Sequence, residues 1–242
     1  MKGSTMFNIA KITEQWATGE GLAVQKLESV ESTNSFAKEQ IGKDTNLPLI
    51  ILAEEQTKGR GRGVNSWTST GNGESLICSV IFKIDKPAQP IATPCFGWAV
   101  YRALNESFGL DFSVKAPNDI HIESSKVGGI LLESVSQGED HHLILGLGIN
   151  VFSHPSIDNS NSLINFMPDK DVQENQWIQF LSLLMSFSTQ AAMASTEANM
   201  SEIIVEELEG ALKKYTHNEI EKLQTDGGFT LSDGTSSNWR DL

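Results

Sequence analysis

Between Ser113 and Val151 the chain runs through four strand-like segments, Ser113–Lys115, Ile120–Ile122, Lys126–Val135 and His142–Val151, each parted from the next by turn-forming residues. That spacing predicts an antiparallel meander. Three further strands are expected before it, at residues 22–28, 49–54 and 75–82. The last of these, Ser-Leu-Ile-Cys-Ser-Val-Ile-Phe, is too apolar to be exposed on both faces. Helices are expected after Ser32 or Thr33, either of which can act as N-cap, over 90–108, and then at about 173–193 and 200–217. Consecutive strands flanked by groups of helices indicate an α+β fold. Its sheet is mixed and largely antiparallel, with helices on one side. The tail from Asp226 to Leu242 carries Gly227-Gly228 and Asp233-Gly234 around Phe229-Thr230-Leu231, which suits one hairpin.

Three of the eighteen basic residues fall within five positions, in Gln56-Thr57-Lys58-Gly59-Arg60-Gly61-Arg62-Gly63, although the formal net charge is −13. Gly59 and Gly61 allow close backbone approach, and the two arginines offer forked donors for phosphate or carboxylate oxygens. Taken alone, the run is either an anion-holding loop or a solvated basic turn. The acidic balance of the whole chain argues against a broad nucleic-acid or anionic-membrane surface, so neither class of partner is expected. With 242 residues, 39% of them hydrophobic, the chain can form a sizeable core. Two cysteines without metal-ligand spacing, and no apolar run long enough to span a bilayer, fit buried free thiols in a cytoplasmic protein. His141 and His142 are adjacent and would face opposite sides of a strand, poor geometry for one metal. Glu54 and Glu55 read as charge compensation for the basic loop.

Five segments ask for one explanation: Glu31-Ser32-Thr33-Asn34; the glycine loop with Trp67 beyond it; Lys115-Ala116-Pro117-Asn118-Asp119-Ile120; Lys126-Val127-Gly128-Gly129-Ile130-Leu131; and Gly146-Leu147-Gly148-Ile149-Asn150-Val151. In order, spacing and residue type, over roughly residues 22–155, they resemble the catalytic domain of the biotin-protein ligases. The resemblance implies a class II synthetase-like biotin/lipoate ligase fold. It also implies an activity: formation of biotinyl-5′-AMP from biotin and MgATP, then transfer of biotin to a lysine of a biotin carboxyl carrier protein.

By the same resemblance, Ser32, Thr33, Asn34 and Gln56 meet the biotin head group, whose ureido N–H and C=O groups need partners in an apolar pocket. A helix cap is the other reading of Ser32 and Thr33, and both can hold at different hydroxyls. Arg60 and Arg62 would draw carboxylate and phosphate together, with Gly59 and Gly61 shaping the loop. Trp67 would cover the adenine or else be an ordinary core tryptophan. Lys126 would stabilise charge growing on carboxylate and α-phosphate oxygens, and Gly128 and Gly129 would leave room for ligand beside it. Lys115, Asn118 and Asp119 would lie near ATP, with Asp119 acting through Mg²⁺ or orienting a lysine. Asn150 would complete the ligand-binding set.

The chain departs from the family in three places. Many bacterial members carry another Gly-Arg after the second arginine; here the loop continues Gly63-Val64-Asn65-Ser66-Trp67, more similar to eukaryotic members. Ala116 stands where the family usually has tryptophan, which is expected to reshape the ligand pocket. The C-terminus leaves little room for the family's SH3-like barrel, so residues 1–195 are expected as catalytic domain and 196–242 as a helix plus a reduced appendage. The short stretch before the first strand is too small for a winged helix, and no sequence-specific DNA binding is expected. Ala116 and the short tail also keep two alternatives open: a ligase or transferase for lipoate or octanoate, and a non-catalytic biotin- or nucleotide-binding protein. The arginine-rich, multiple-glycine motif of lipoate ligases is not found. The carrier's identity and the oligomeric state stay open.

Overall fold

A computed structural model describes residues 6–216 and 219–239. The chain begins with α1 (Ile9–Gly19), β1 (Ala23–Val30), α2 (Thr33–Gln40), β2 (Leu49–Gln56), β3 (Ser75–Ile84) and α3 (Ala92–Phe108). The expected meander follows as β4 (Phe112–Lys115), β5 (Asp119–Ile122), β6 (Ser125–Gln137) and β7 (Asp140–Asn150). Next come α4 (Glu174–Ala194), α5 (Glu202–Thr216), β8 (Ile220–Leu223), β9 (Gly228–Leu231) and β10 (Ser236–Asn238). Strands β1 to β7 form one sheet in the order β1-β2-β3-β7-β6-β5-β4. Among the described strands of this sheet, only β1 and β2 pair in parallel.

The central strand β7 shows how the sequence builds both a core and a hollow. Leu143, Leu145, Leu147 and Ile149 alternate onto one face, where they join the main core with residues of α1, α3, α4 and α5. Ile144, Gly146, Gly148 and Asn150 alternate onto the other. Ile144 is covered there by Ala37 of α2, together with Leu49, Ile51 and Ile81. Beyond Ile144 the two glycines leave the sheet bare. The short α2 is thus the helix on the second face, while the other four lie on the first. Apolar side chains at consecutive positions of β2, Leu49 to Leu52, are what require cover on both sides.

Helix α1 was not expected. It is capped by Asn8, whose side chain accepts from the Lys11 N–H, but it buries only Ile9, Ala10, Thr13 and Ala17. At the other end, β9 and β10 pair as the expected hairpin, and β8 adds a third antiparallel strand to it. Phe229 and Trp239 from this sheet join the main core. The end of the expected helix 200–217 and the last residues of the expected tail hairpin lie outside the described residues.

Candidate functional site

The hollow on the second face opens into a cleft of about 570 Å³. Its floor is the glycine row of β7 and β6, and the two glycines of β7 are needed because another side chain lies on each. A Cβ on Gly146 would overlap the Asn34 carboxamide, and one on Gly148 would overlap the Trp67 indole. A Cβ on Gly129 would be 3.4 Å from the same indole. Trp67 is therefore neither an ordinary core residue nor a surface one: it lies across the cleft floor.

The basic loop closes on itself to deliver that ring. Gly61 N–H donates to Asn65 O at 2.8 Å and Trp67 N–H to Gly59 O at 3.0 Å, with Gly63 at positive φ at the tip. Gly59 does not line the cleft. A side chain there would strike the Trp67 carbonyl, so it serves loop closure. Gly128 is also off the wall; its missing Cβ lets β6 sit against the Gly148 carbonyl. Gly61, Arg60 and Arg62 do line the cleft. Lys58 turns away to the exposed Glu31 at 2.7 Å.

At one end, the start of α2 presents Ser32, Thr33 and Asn34, all buried. Ser32 Oγ caps the helix by accepting from Ser35 N–H at 3.5 Å, so the capping role holds. Gln56 Oε1 accepts from the Thr33 N–H at 2.7 Å and from its hydroxyl at 3.1 Å. Ser79 Oγ lies 2.8 Å from Thr33 Oγ1 and 2.6 Å from Asn34 Oδ1. Asn34 Nδ2 donates to Leu131 O and to Glu133 Oε2. Glu133, which sequence reasoning did not single out, also holds Lys38 at 2.7 Å and Arg60 Nη2 at 2.6 Å. Burial alone would raise its carboxyl pKa; the hydrogen bonds from Lys38, Asn34 and Arg60 outweigh that and lower it. No local pattern marks it in the sequence, since the side chains it holds lie 73 to 99 positions away.

About 13 Å further along β7 lies the second end, four residues from Gly146 to Asn150. Lys126 Nζ is 2.7 Å from Asp119 Oδ1 and 5.9 Å from the centre of the Trp67 ring. Asp119 thus orients the lysine, one of its two expected roles. Asn118 fastens the turn after β4 to β6, its Nδ2 donating to Ile130 O at 2.9 Å while its own carbonyl accepts from Ile130 N–H. Asn150 Nδ2 donates to Asn161 O, anchoring a segment that bridges to Lys126 at Ser160. Among the described residues its Oδ1 is buried without a partner, as is Trp67 Nε1. Lys115 reaches over the Tyr215 ring at 5.6 Å. Ala116 packs against the main core and is not among the residues that line the cleft.

His121 and Tyr215, neither foreseen, also line this end. Burial, opposed by the Asp119 charge and reinforced by those of Lys115 and Lys126, pushes the His121 pKa down to about 4. The imidazole is neutral at physiological pH.

Most of the residues that line the cleft fall in the part of the chain that a family model matches. Residues 27–150 fit the biotin/lipoate A/B protein ligase family, about half of the chain. The chain belongs to that family. Among curated relatives, the bifunctional ligase/repressor BirA of Bacillus subtilis is 34% identical over 131 residues, 52% of this chain and 40% of that protein. The biotin–protein ligase of Homo sapiens is 33% identical over 119 residues, 45% of this chain and 16% of that protein. The chain therefore spans well under two thirds of the length of these relatives. In fold, it is similar to the Aquifex aeolicus biotin protein ligase in complex with biotin and ATP. The TM-score is 0.68 at 22% identity, covering 89% of this chain and 94% of that one. Among the described residues, no helix is long and apolar enough to cross a membrane.

Proposed function

We propose that this protein activates biotin with MgATP to biotinyl-5′-AMP and passes the biotin to a lysine of a biotin carboxyl carrier protein. One observation carries the reading: a single cleft joins a buried polar pocket at Ser32, Thr33, Asn34 and Gln56 to a cationic stretch at Arg60, Arg62, Lys115 and Lys126. Of the curated relatives named above, the human one is called a biotin–protein ligase, which supports the choice of acid.

In this mechanism the head of the acid enters between α2 and the glycine floor, where buried hydroxyl and amide groups answer its ureido N–H and C=O. Its carboxylate then points along the cleft. An oxygen of that carboxylate attacks the α-phosphorus of ATP and pyrophosphate leaves. Arg60 and Lys126 offset the repulsion between the two anions and take up the charge on the oxygens around phosphorus. Glu133 and Asp119 hold these two cations in place through ion pairs. In the second step the carrier's lysine, as the free amine, attacks the acyl carbon and AMP departs.

Mg²⁺ enters the reading with ATP and would neutralise phosphate charge. Among the described residues no three His, Cys, Asp or Glu side chains gather around one point. Asp119 alone would supply a protein oxygen, which suits an ion that keeps most of its ligands from phosphates and water.

The test is mass-spectrometric detection of acyl-adenylate after mixing the protein with MgATP and biotin, lipoate or octanoate separately. Biotinyl-adenylate alone is expected. Adenylate from another acid would move the protein to a lipoate- or octanoate-type ligase, and none from any acid would make it a binding protein. Lys126→Ala should lower adenylate formation at least 10³-fold, roughly the scale of losing one charge-stabilising donor, with an unchanged circular-dichroism spectrum. Full activity in that variant would remove Lys126 from the chemistry.

A further inference from the structure

His121 is only 4% exposed and faces the cleft, and neither of its ring nitrogens has a hydrogen-bond partner of normal geometry among the described residues. The Ser124 backbone offers it a minor contact at most. Buried polar atoms are nearly always satisfied in native structures, so an imidazole left open at a cleft wall marks a ligand contact. Its position specifies the kind of ligand group. His121 on β5 pairs directly across the ladder with Lys126 on β6, which sets their side chains about 5 Å apart on one face. Tyr215 meets the His121 ring edge-on at 4.7 Å between centroids.

We propose that His121 binds a ribose hydroxyl of the nucleotide. The inference rests on the function proposed above, in which Lys126 meets the α-phosphate. The ribose is the group bonded directly to that phosphate on the side away from the acid, and His121 is the side chain directly beside Lys126. A hydroxyl both donates and accepts, so it suits either tautomer of a neutral imidazole. It also brings no further charge into a site that already holds Lys115, Asp119 and Lys126. One structural competitor exists. Ser113, the cross-strand neighbour of His121 on β4, also has a buried hydroxyl without a partner, and the two could satisfy each other.

The test compares ATP, 2′-deoxy-ATP and 3′-deoxy-ATP in biotin-dependent exchange between pyrophosphate and ATP, using wild type, His121→Phe, His121→Asn and Ser113→Ala. Wild type should show a KM about tenfold higher for one of the deoxynucleotides than for ATP. His121→Phe should raise the KM for ATP about tenfold, leave the KM for biotin unchanged and abolish the discrimination, with His121→Asn restoring part of it. Ser113→Ala should behave as wild type. If His121→Phe does not fold, discrimination by the wild type and its reduction in His121→Asn decide the matter. The assignment is overturned if wild type turns over all three nucleotides alike, if His121→Phe keeps the discrimination, or if Ser113→Ala reproduces the His121→Phe behaviour. Failure of wild type to catalyse exchange with any acid would overturn the proposed function and this assignment together. Exchange without hydroxyl discrimination would overturn this assignment alone.

Discussion

The Glu133 carboxylate accepts from Asn34, Lys38 and Arg60, and so ties α2 and the glycine loop to β6. Its partners are more than a third exposed, Lys38 at 40% and Arg60 at 39% of their side-chain surface, so solvent screens much of the attraction. Losing the carboxylate should cost about 1–2 kcal/mol, the scale of hydrogen bonds to a charged group after screening. The sign of the pH dependence follows from its lowered folded pKa. The unfolded chain takes up the proton first as pH falls, near pH 4.3. The contribution of Glu133 is therefore whole above that value and is lost as pH drops through the lower, folded pKa. In urea titrations between pH 6 and 2.5, Glu133→Gln should be less stable than wild type at pH 6, with the gap closing at the acid end. A gap that stays constant with pH would show that packing rather than charge accounts for it. Nothing near Glu133 in sequence marks it, because its partners lie 73 to 99 positions away. Lys126 and the two arginines were legible from local motifs. Glu133 and His121 become meaningful only once strands are paired.

Among the elements, the strands of the meander were readable because each is bounded by its own turn, and α3 and α4 because they are long. Helix α1 was missed although Ile9, Ile12, Thr13, Trp16 and Ala17 recur at helical spacing, so its apolar stripe was present in the sequence. The strands of the C-terminal sheet have four residues or fewer, too short for alternation to register. That sheet nevertheless bears on the site. Trp239, after β10, donates from Nε1 to the Pro117 carbonyl at 2.8 Å, gripping the turn that carries Lys115, Asn118 and Asp119. Its ring is buried against α3 near Gly97. Trp239→Phe removes the donor and part of the ring, and should cost about 1–3 kcal/mol of stability. The more telling readout is kinetic. If the grip sets the turn, the KM for ATP should rise severalfold while that for biotin, which the proposed function places at the α2 end, stays put. Equal change in both constants would mean that the sheet supports the fold without setting the turn.

At the scale of the molecule, one sheet separates an apolar side from a working side, and the two cysteines report on how tightly they are joined. Cys78 lies in β3 between β2 and β7, and Cys95 lies in α3; they are 4% and 0% exposed. Burial raises both thiol pKa values to about 12, leaving roughly one thiolate in ten thousand at pH 8. Neither should react with an aromatic disulfide reagent in the native protein, and both should react once urea unfolds it. Labelling then follows the population of opened molecules, because strands at the centre of a sheet open only with the whole fold. Cys78 also borders the cleft from below its glycine floor. A ligand that binds only the folded state lowers the opened population by mass action, by about 2.7 kcal/mol at a hundred times its dissociation constant. Biotin at that concentration should therefore slow labelling of both cysteines about a hundredfold. Slowing confined to Cys78 would instead mean that β3 opens locally at the cleft while α3 stays closed, and that the sheet does not act as one cooperative unit.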